Sequence, residues 1–211
     1  MKHRTGFLKV YACLVILLPS LDAGRPPKKV AAGFSCLPKE LTALTKHRVE
    51  MSLIGFDEAN GKHLGTWSPG FPDLHVHQNS PISGSKVQCS LIFMVQGLEK
   101  ILEDQSTNLN PGDVSLHRHL SDTIFSVNML ATCLRSILGG ECSSQPSPPV
   151  MPKYAFQRKQ WSHTLLTTAK HYLAWLESKL EIYISKGKGK NNIKRKLPQH
   201  LTYLEGSGYL L

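Results

Sequence analysis

Residues 154–185 read YAFQRKQWSHTLLTTAKHYLAWLESKLEIYIS and contain neither glycine nor proline. Their apolar residues recur at steps of three and four, which is typical of one stripe on an α-helix. The stripe consists of Trp161, Leu165, Ala169, Tyr172, Leu173, Leu176, Leu180, Tyr183 and Ile184. The polar residues predicted to lie outside it are Thr164, Lys170, Glu177, Lys179 and Glu181. Because a helix of this length extends about 45 Å, we expect other helices of similar length to cover the stripe.

The start of this segment carries an aromatic residue on the side opposite the stripe. Helical projection places Phe156 there, with Gln157 and Arg158 next to it and Lys159 on its flank. A large aromatic side chain facing solvent is typical of a binding hot spot. In the alternative interpretation the helix starts later and Phe156 packs back against it as a hydrophobic staple. The sequence alone leaves both interpretations open.

A first helix is predicted from Cys36 to about Asp57, with Pro38 in its first turn and Gly55 near its end. Its apolar residues have the least regular spacing of the predicted helices. The side expected to be apolar carries Leu37, Leu41, Leu44 and Met51.

Two further helices have clearer periodicity. The second is predicted from about Ser85 to Asp104, and its stripe consists of Val87, Leu91, Met94, Val95, Leu98, Ile101 and Leu102. The third follows the turn NLNPGD at 108–113, where Asp113 is placed to cap it, and Gly139 and Gly140 end it. Its stripe consists of Leu116, Leu120, Ile124, Val127, Ala131, Leu134 and Leu138.

The connections between these helices have unequal lengths. A short turn joins the second and third helices, which makes them antiparallel neighbours. Long links at 61–84 and 139–153, rich in glycine, proline and serine, allow the helices they join to run parallel. The predicted fold is therefore all-α, an up-up-down-down long-chain four-helix bundle of the kind found in cytokines and growth hormones. We assign residues 36–185 to this domain.

Residues 1–24 (MKHRTGFLKVYACLVILLPSLDAG) are typical of a secretory signal peptide, with a basic start, a short apolar run and small residues. The apolar run is too short to span a bilayer. We expect cleavage near Ala23 or Gly24, with Gly33 as the alternative site. The predicted mature chain is therefore secreted and extracellular, without membrane insertion.

Removal of the signal peptide takes away Cys13 and leaves Cys36, Cys89, Cys133 and Cys142. In an oxidising compartment these residues predict two disulfides, and three connectivities are open. All of these cysteines fall near one end of the predicted bundle. Zinc binding is disfavoured because the chain contains no C-x-x-C or C-x-x-H pair.

The formal net charge of +10 is partly concentrated after the last helix. Its contributors there are Lys186, Lys188, Lys190, Lys194, Arg195 and Lys196. Residues 186–211 are predicted to form a basic, disordered tail, and heparan sulfate is a candidate partner for it. Nucleic acid is not an expected partner, because the chain has no recognisable nucleic-acid-binding module.

No enzymatic activity, metal or cofactor is predicted. The chain contains no G-x-S-x-G or H-E-x-x-H motif. The histidine pairs His75/His77 and His117/His119 are interpreted as surface residues. The second pair lies two residues apart on a predicted helix, so its side chains point to different faces.

Several short segments resemble the leukemia inhibitory factor and oncostatin M subfamily of interleukin-6-type cytokines. AFQRK at 155–159 resembles oncostatin M, and its F-x-x-K pattern is shared with leukemia inhibitory factor. DQSTNLNPGDVSLHRHL at 104–120 is similar to a leukemia inhibitory factor segment with DQ, LNP and SLH in the same order. The remaining similarities are Phe71-Pro72 with His75 in the first link, Ser35-Cys36 and Lys39-Glu40 before and in the first helix, and Cys133 in the third.

This resemblance implies a secreted cytokine that brings together cell-surface receptor chains and signals through the JAK–STAT pathway. The implied partners are glycoprotein 130 and a receptor of the leukemia-inhibitory-factor or oncostatin M type. Phe156 and Lys159 match the residues that contact the leukemia-inhibitory-factor-type receptor, and we include Gln157 and Arg158 in this site. A different four-helix hormone or interleukin, or a secreted heparin-binding basic protein, is the alternative.

The resemblance also implies a second surface and a disulfide pairing. Faces of the first and third helices are expected to contact glycoprotein 130. There Lys46, Glu50 and Ser126 stand where glutamine and glycine are common in the family. The implied disulfides are Cys36–Cys133 and Cys89–Cys142. The main alternative pairs Cys36 with Cys142 and Cys89 with Cys133.

Overall fold

The computed structural model describes residues 36–68, 70–144 and 146–193, with side chains as far as residue 185. The predicted signal peptide and residues 194–211 of the predicted tail lie outside the described residues. Within these ranges the chain forms four long α-helices and no β-strand, which confirms the all-α class. The helices are α1 (Pro38–Asn60), α2 (Gly84–Asp104), α3 (Val114–Leu138) and α4 (Ala155–Ile193).

Local signals in the sequence set several helix ends. The Asp113 carboxylate accepts a hydrogen bond from the Leu116 backbone N–H at 3.0 Å, so the predicted N-cap of α3 is confirmed. At the other end of α3, Gly139 and Gly140 have φ values of 65° and 80°, which glycine adopts without strain. A Cβ added to Gly84 would collide with the Gly139 carbonyl, so the start of α2 and the end of α3 approach closely.

Two helix ends differ from the prediction. Gly55 lies inside α1, which continues to Asn60, and a Cβ at this position would be in van der Waals contact with His119 and Leu116 of α3. Helix α4 continues past Ser185 to Ile193, since extending an existing helix costs much less free energy than starting one. Among the described residues, no helix is long and apolar enough to cross a membrane.

The apolar stripes of α2, α3 and most of α4 face one hydrophobic core. In α4 the stripe is buried from Trp161 to Leu180, whereas Tyr183 is exposed. Thr164 was predicted to lie outside the stripe, and this is wrong. It is buried because the first link crosses α4 at this point, and its hydroxyl accepts a hydrogen bond from the Trp67 backbone N–H at 2.8 Å.

The buried face of α1 is not the predicted one. Leu37 and Leu44 are exposed, and Leu41 and Met51 are only partly buried. The residues that face the interior are Thr42, Thr45, Val49, Ser52 and Phe56. Their hydroxyl groups are satisfied locally or by α3: those of Thr42 and Thr45 donate to the carbonyls four residues earlier at 2.7 Å, and Ser52 Oγ lies 2.9 Å from Thr123 Oγ1. These hydrogen bonds allow a face rich in hydroxyls to be buried.

Helices α1 and α2 each contact both α3 and α4, and residues early in one helix meet residues late in the other. The ion pairs between α1 and α4 are Lys39–Glu181, Lys46–Glu177 and Glu50–Lys170, and His163 Nε2 lies 3.4 Å from Asp57 Oδ1. Between α1 and α3 the contacts include Thr45–Ser126, Arg48–Asp122 and Ser52–Thr123. Helix α2 contacts its neighbours through Gln88–Ala131, Gly97–Leu165 and Asp104–Arg158.

Two disulfides join the elements at one end of the molecule. Cys36, before α1, is bonded to Cys133 near the end of α3, with a Cα–Cα distance of 5.4 Å. Cys89, in the second turn of α2, is bonded to Cys142 after α3, with a Cα–Cα distance of 4.9 Å. The pairing implied by the resemblance is confirmed, and the alternative pairing is wrong.

Candidate functional site

The candidate site begins with Phe156 in the first turn of α4. Its side chain is 60% exposed. The helix starts at Ala155, one residue earlier, so Phe156 is part of an ordered turn. Tyr154 and Val150, in the link that leads into α4, are also exposed apolar residues. The position of Phe156 opposite the buried stripe is therefore confirmed, and the interpretation as a buried staple is wrong.

The neighbours of Phe156 have different environments. Gln157 is exposed, and Lys159 is partly buried. Among the described side chains, Lys159 forms no ion pair, so its charge faces no carboxylate of this chain there. An ammonium group in such a position is able to pair with a carboxylate of a partner.

Arg158 differs from these neighbours because its side chain is engaged within the chain. Its Nε lies 3.0 Å from Oδ1 of Asp104, the last residue of α2, and its Nη1 donates to the Lys153 carbonyl at 2.6 Å. The Asp104 side chain is only 4% exposed and also accepts a hydrogen bond from Asn108 Nδ2 at 2.9 Å. Arg158 therefore joins the start of α4 to the end of α2. The sequence grouped Arg158 with the binding residues and missed Asp104.

The first link crosses the start of α4 beside these residues. Gln160 Nε2 donates to the Leu64 carbonyl at 2.7 Å. Further along the link, the ring of Phe71 packs edge-on against Trp161, with 5.2 Å between centroids, and also contacts Phe93 of α2. The link thus runs across α4 towards α2, and it fixes the inner side of the first turns of α4.

The structure does not bring together the residues predicted on α1 and α3. Lys46 and Glu50 face α4, where they pair with Glu177 at 2.6 Å and with Lys170 at 3.4 Å. Ser126 is only 6% exposed, because α1 packs over it, and its carbonyl accepts a hydrogen bond from Thr45 Oγ1 at 3.4 Å. The surface position predicted for Ser126 is therefore wrong.

A different set of residues occupies the outer surface between α1 and α3. A groove of about 290 Å³ is lined by Leu44, His47, Arg48, Met51, Arg118, His119 and Asp122. Phe125, the next residue but two after Asp122, is 66% exposed. The sequence contained a signal for this surface, since Leu44 and Met51 lie two helical turns apart. Those residues were assigned to the apolar side of α1, and their outward position was missed.

A larger cavity of about 660 Å³ lies between the first link, the start of α2 and α4. Its lining includes His75, His77, Lys86, Tyr172 and Trp175. The His75 and His77 rings meet edge-on, with 5.1 Å between centroids. Burial raises the pKa of Tyr172 to about 12. In the described part of the chain, no three His, Cys, Asp or Glu residues are grouped so that they could hold a metal ion.

Comparisons with known proteins bear on none of these surfaces. The chain gives no significant match to protein-family models, to curated proteins or to solved structures. The chemistry of the site therefore rests on the residues and contacts described above.

Proposed function

We propose that this chain is a secreted four-helix cytokine of the interleukin-6 type that acts by bringing together cell-surface receptor chains. The observation that carries the proposal is the exposure of Phe156 on the first turn of α4. Full burial of a phenylalanine side chain contributes about 2 kcal/mol or more, and this ring forgoes much of that stabilisation. An exposed aromatic residue with a cation one turn away is typical of a surface that gains this energy when a partner binds.

The proposed topology is up-up-down-down. Helices α1 and α2 each meet α3 and α4 with early residues against late ones, as in the pairs Lys39–Glu181 and Asp104–Arg158. If both are antiparallel to the same two helices, they run parallel to each other. The disulfides at the starts of α1 and α2 agree with this arrangement, since both lead to the region around the end of α3. This is the topology of the cytokine bundles.

The first proposed receptor surface is the start of α4. It consists of Phe156, Gln157 and Lys159, with Tyr154 in the preceding link. The expected partner surface is an apolar pocket for the phenyl ring with a carboxylate beside it for the ammonium group. By resemblance of the F-x-x-K pattern, the partner is a receptor of the leukemia-inhibitory-factor or oncostatin M type.

The second proposed receptor surface is the groove between α1 and α3, with glycoprotein 130 as the partner. Leu44, Met51 and Phe125 supply exposed or partly exposed apolar area, and Arg118 supplies positive charge. These residues replace Lys46, Glu50 and Ser126 in the proposal, because the latter face α4 or are buried. An apolar centre with a charged rim is the usual composition of a specific interface.

Secretion and polyanion binding complete the proposal. The two disulfides support secretion, because such bonds persist in oxidising compartments. Binding of heparan sulfate by the basic tail stays a prediction from the sequence, since the side chains from residue 186 onward lie outside the described residues.

The test is the double substitution Phe156→Ala with Lys159→Ala, measured by binding to the extracellular domains of the two receptor types and by STAT phosphorylation in cells that express them. We expect affinity for the leukemia-inhibitory-factor-type receptor and signalling to fall by about tenfold or more, because an aromatic anchor is lost. We expect the Tm to stay nearly unchanged, because Phe156 is mostly exposed and Lys159 forms no ion pair among the described side chains.

The matched control is Tyr183→Ala, which removes a 44% exposed aromatic residue from the far end of the same helix. This variant should keep full signalling. A double variant with reduced Tm and full activity would contradict the proposed hot spot. Crosslinking of the labelled protein to cells that express single receptor chains distinguishes this receptor pair from that of another four-helix hormone.

A further inference from the structure

We infer that Asp104 and Arg158 are positioning residues that hold the receptor-binding turn of α4 in its binding conformation. This inference rests on the proposed function, because it concerns how Phe156 is presented. The inference does not require that either residue contacts the receptor. The structural basis is that their ion pair connects the end of α2 to both sides of Phe156 in the chain.

The ion pair is well determined by its surroundings. Both Asp104 oxygens lie close to Arg158 Nε, at 3.0 and 3.1 Å, and Asn108 donates a further hydrogen bond to Oδ1. Since Asp104 is almost fully buried at the end of α2, its charge requires a partner, and Arg158 supplies it. The guanidinium also donates to the Lys153 carbonyl. Phe156 therefore lies between Lys153 and Arg158, of which Arg158 contacts α2 directly and Lys153 is held by the same guanidinium.

The first turn of α4 needs such a connection. The first N–H groups of a helix have no intrahelical acceptor, and a first turn is costly to form on its own. The Arg158 backbone N–H makes a hydrogen bond of this first turn, to the Tyr154 carbonyl at 2.9 Å. The same residue thus closes the turn through its backbone and fastens it to α2 through its side chain. Phe156 itself is exposed, so its own ring cannot perform this function.

The first link packs against the inner side of this helix start at Gln160 and Trp161, but the side that faces the last link is less closely packed. A cavity of about 190 Å³ lies where the last link meets the end of α2, and Met151, Pro152, Lys100 and Glu103 contribute to its walls. The ion pair bridges the two elements along this cavity. Without it, the turn would have to become ordered when the receptor binds, and that ordering would reduce the affinity.

The experiment compares Asp104→Asn, Arg158→Gln and the double variant with the wild-type chain. Amide hydrogen exchange of the peptide 153–160 is followed by mass spectrometry, and the Kd for the same receptor ectodomain is measured. We expect exchange in this peptide to accelerate by about tenfold and the affinity to fall by about five- to tenfold. Exchange around Cys36 and Cys133 should not change. Arg158→Lys keeps the charge and loses the fork of donors, so its exchange and affinity should lie between those of Arg158→Gln and wild type.

Glu103→Gln is the matched control, because it removes the neighbouring carboxylate at the same helix end. We expect this variant to have wild-type exchange and wild-type affinity. If Asp104→Asn does not fold, Arg158→Gln tests the same pair from its more exposed side. Unchanged exchange in 153–160 for Arg158→Gln would overturn the inference, and so would accelerated exchange with unchanged affinity.

A Phe156→Ala background separates this inference from the proposed function. If the pair acts through Phe156, Arg158→Gln should lower the affinity much less in that background than in the wild-type chain. An equal loss in both backgrounds would overturn the inference, because Arg158 would then act independently of Phe156. If Phe156→Ala alone leaves binding intact, the proposed function fails, whereas accelerated exchange in Arg158→Gln would still establish that the pair orders the turn.

Discussion

The two ends of the molecule are held together by different chemistry. At one end, disulfides tie the starts of α1 and α2 to the region around the end of α3. At the other end, the buried amide of Gln105 accepts hydrogen bonds from Asn60 at 3.0 Å and from Asn110 at 2.7 Å, and Asp104 pairs with Arg158. The covalent end resists local opening, whereas the hydrogen-bonded end can open without breaking a bond of the chain. The exposed Phe156 lies at the hydrogen-bonded end, so the proposed binding surface is on the part of the molecule that these disulfides do not hold.

The largest expected effect comes from removal of a disulfide. Replacement of both Cys36 and Cys133 by serine should lower the free energy of unfolding by about 2–4 kcal/mol, because the unfolded chain regains conformational freedom. Urea denaturation measures the change. The Cys89–Cys142 disulfide closes a shorter loop, with a sequence separation of 53 rather than 97. Its removal should therefore lower the free energy of unfolding by about 0.5 kcal/mol less than removal of Cys36–Cys133. If removal of either disulfide destabilised the protein less than substitution of Gln105 at the other end, the contrast between the two ends would be wrong.

A smaller effect is expected at the hydrogen-bonded end. Gln105→Leu removes the acceptor that the amides of Asn60 and Asn110 share. Each amide keeps a second acceptor at 3.1 Å, the Phe56 carbonyl for Asn60 and Asn60 Oδ1 for Asn110, so the loss should be about 1 kcal/mol. Hydrogen exchange should accelerate around 56–60 and 105–110 and stay unchanged near the disulfides. Gln157→Leu, at an exposed position, is the control and should change the stability by less than about 0.5 kcal/mol. Uniform acceleration over the whole chain would show that the two ends do not open independently.

The smallest effect at neutral pH is expected from Tyr172→Phe, on α4 towards the disulfide end. Burial raises the pKa of Tyr172 from 10.0 to about 12, so the folded state retains this proton while the unfolded state loses it. The associated stability is present below pH 10 and should be lost as the pH rises from about 10 to 12. The variant should lack this loss. Absorbance titration of the tyrosines measures this pKa directly, since one tyrosine of the wild-type chain should ionise at a higher pH than the others. Ionisation of all tyrosines near pH 10 would contradict the prediction.

Sequence patterns predicted the parts of the fold that depend on apolar spacing. The stripes of α2 and α3, most of the stripe of α4, and the exposure of Phe156 follow from helical periodicity alone. Periodicity failed for α1, because Thr42, Thr45 and Ser52 satisfy their hydroxyl groups with nearby carbonyls or with α3 and are buried without being apolar.

The ion pair between Asp104 and Arg158 was missed for a different reason. The two residues are far apart in the sequence, and their contact depends on how the end of α2 meets the start of α4. Nothing in the local pattern of either helix indicates it. The same limitation explains Ser126, whose burial depends on the packing of α1 over α3. Residue type and spacing therefore located the exposed turn at the start of α4 but not its contacts with α2.

The ion pairs between α1 and α4 also select among alternative folds. Along α1 the paired charges are positive, positive and negative, at Lys39, Lys46 and Glu50. Their partners on α4 have the complementary order only when the helices run in opposite directions. Each of these pairs is partly exposed and therefore contributes little stability by itself. If the order of these charges on α4 were reversed, however, the attractions at Lys39 and Glu50 would become repulsions, so the charge order disfavours a parallel orientation of α1 and α4 independently of the disulfides.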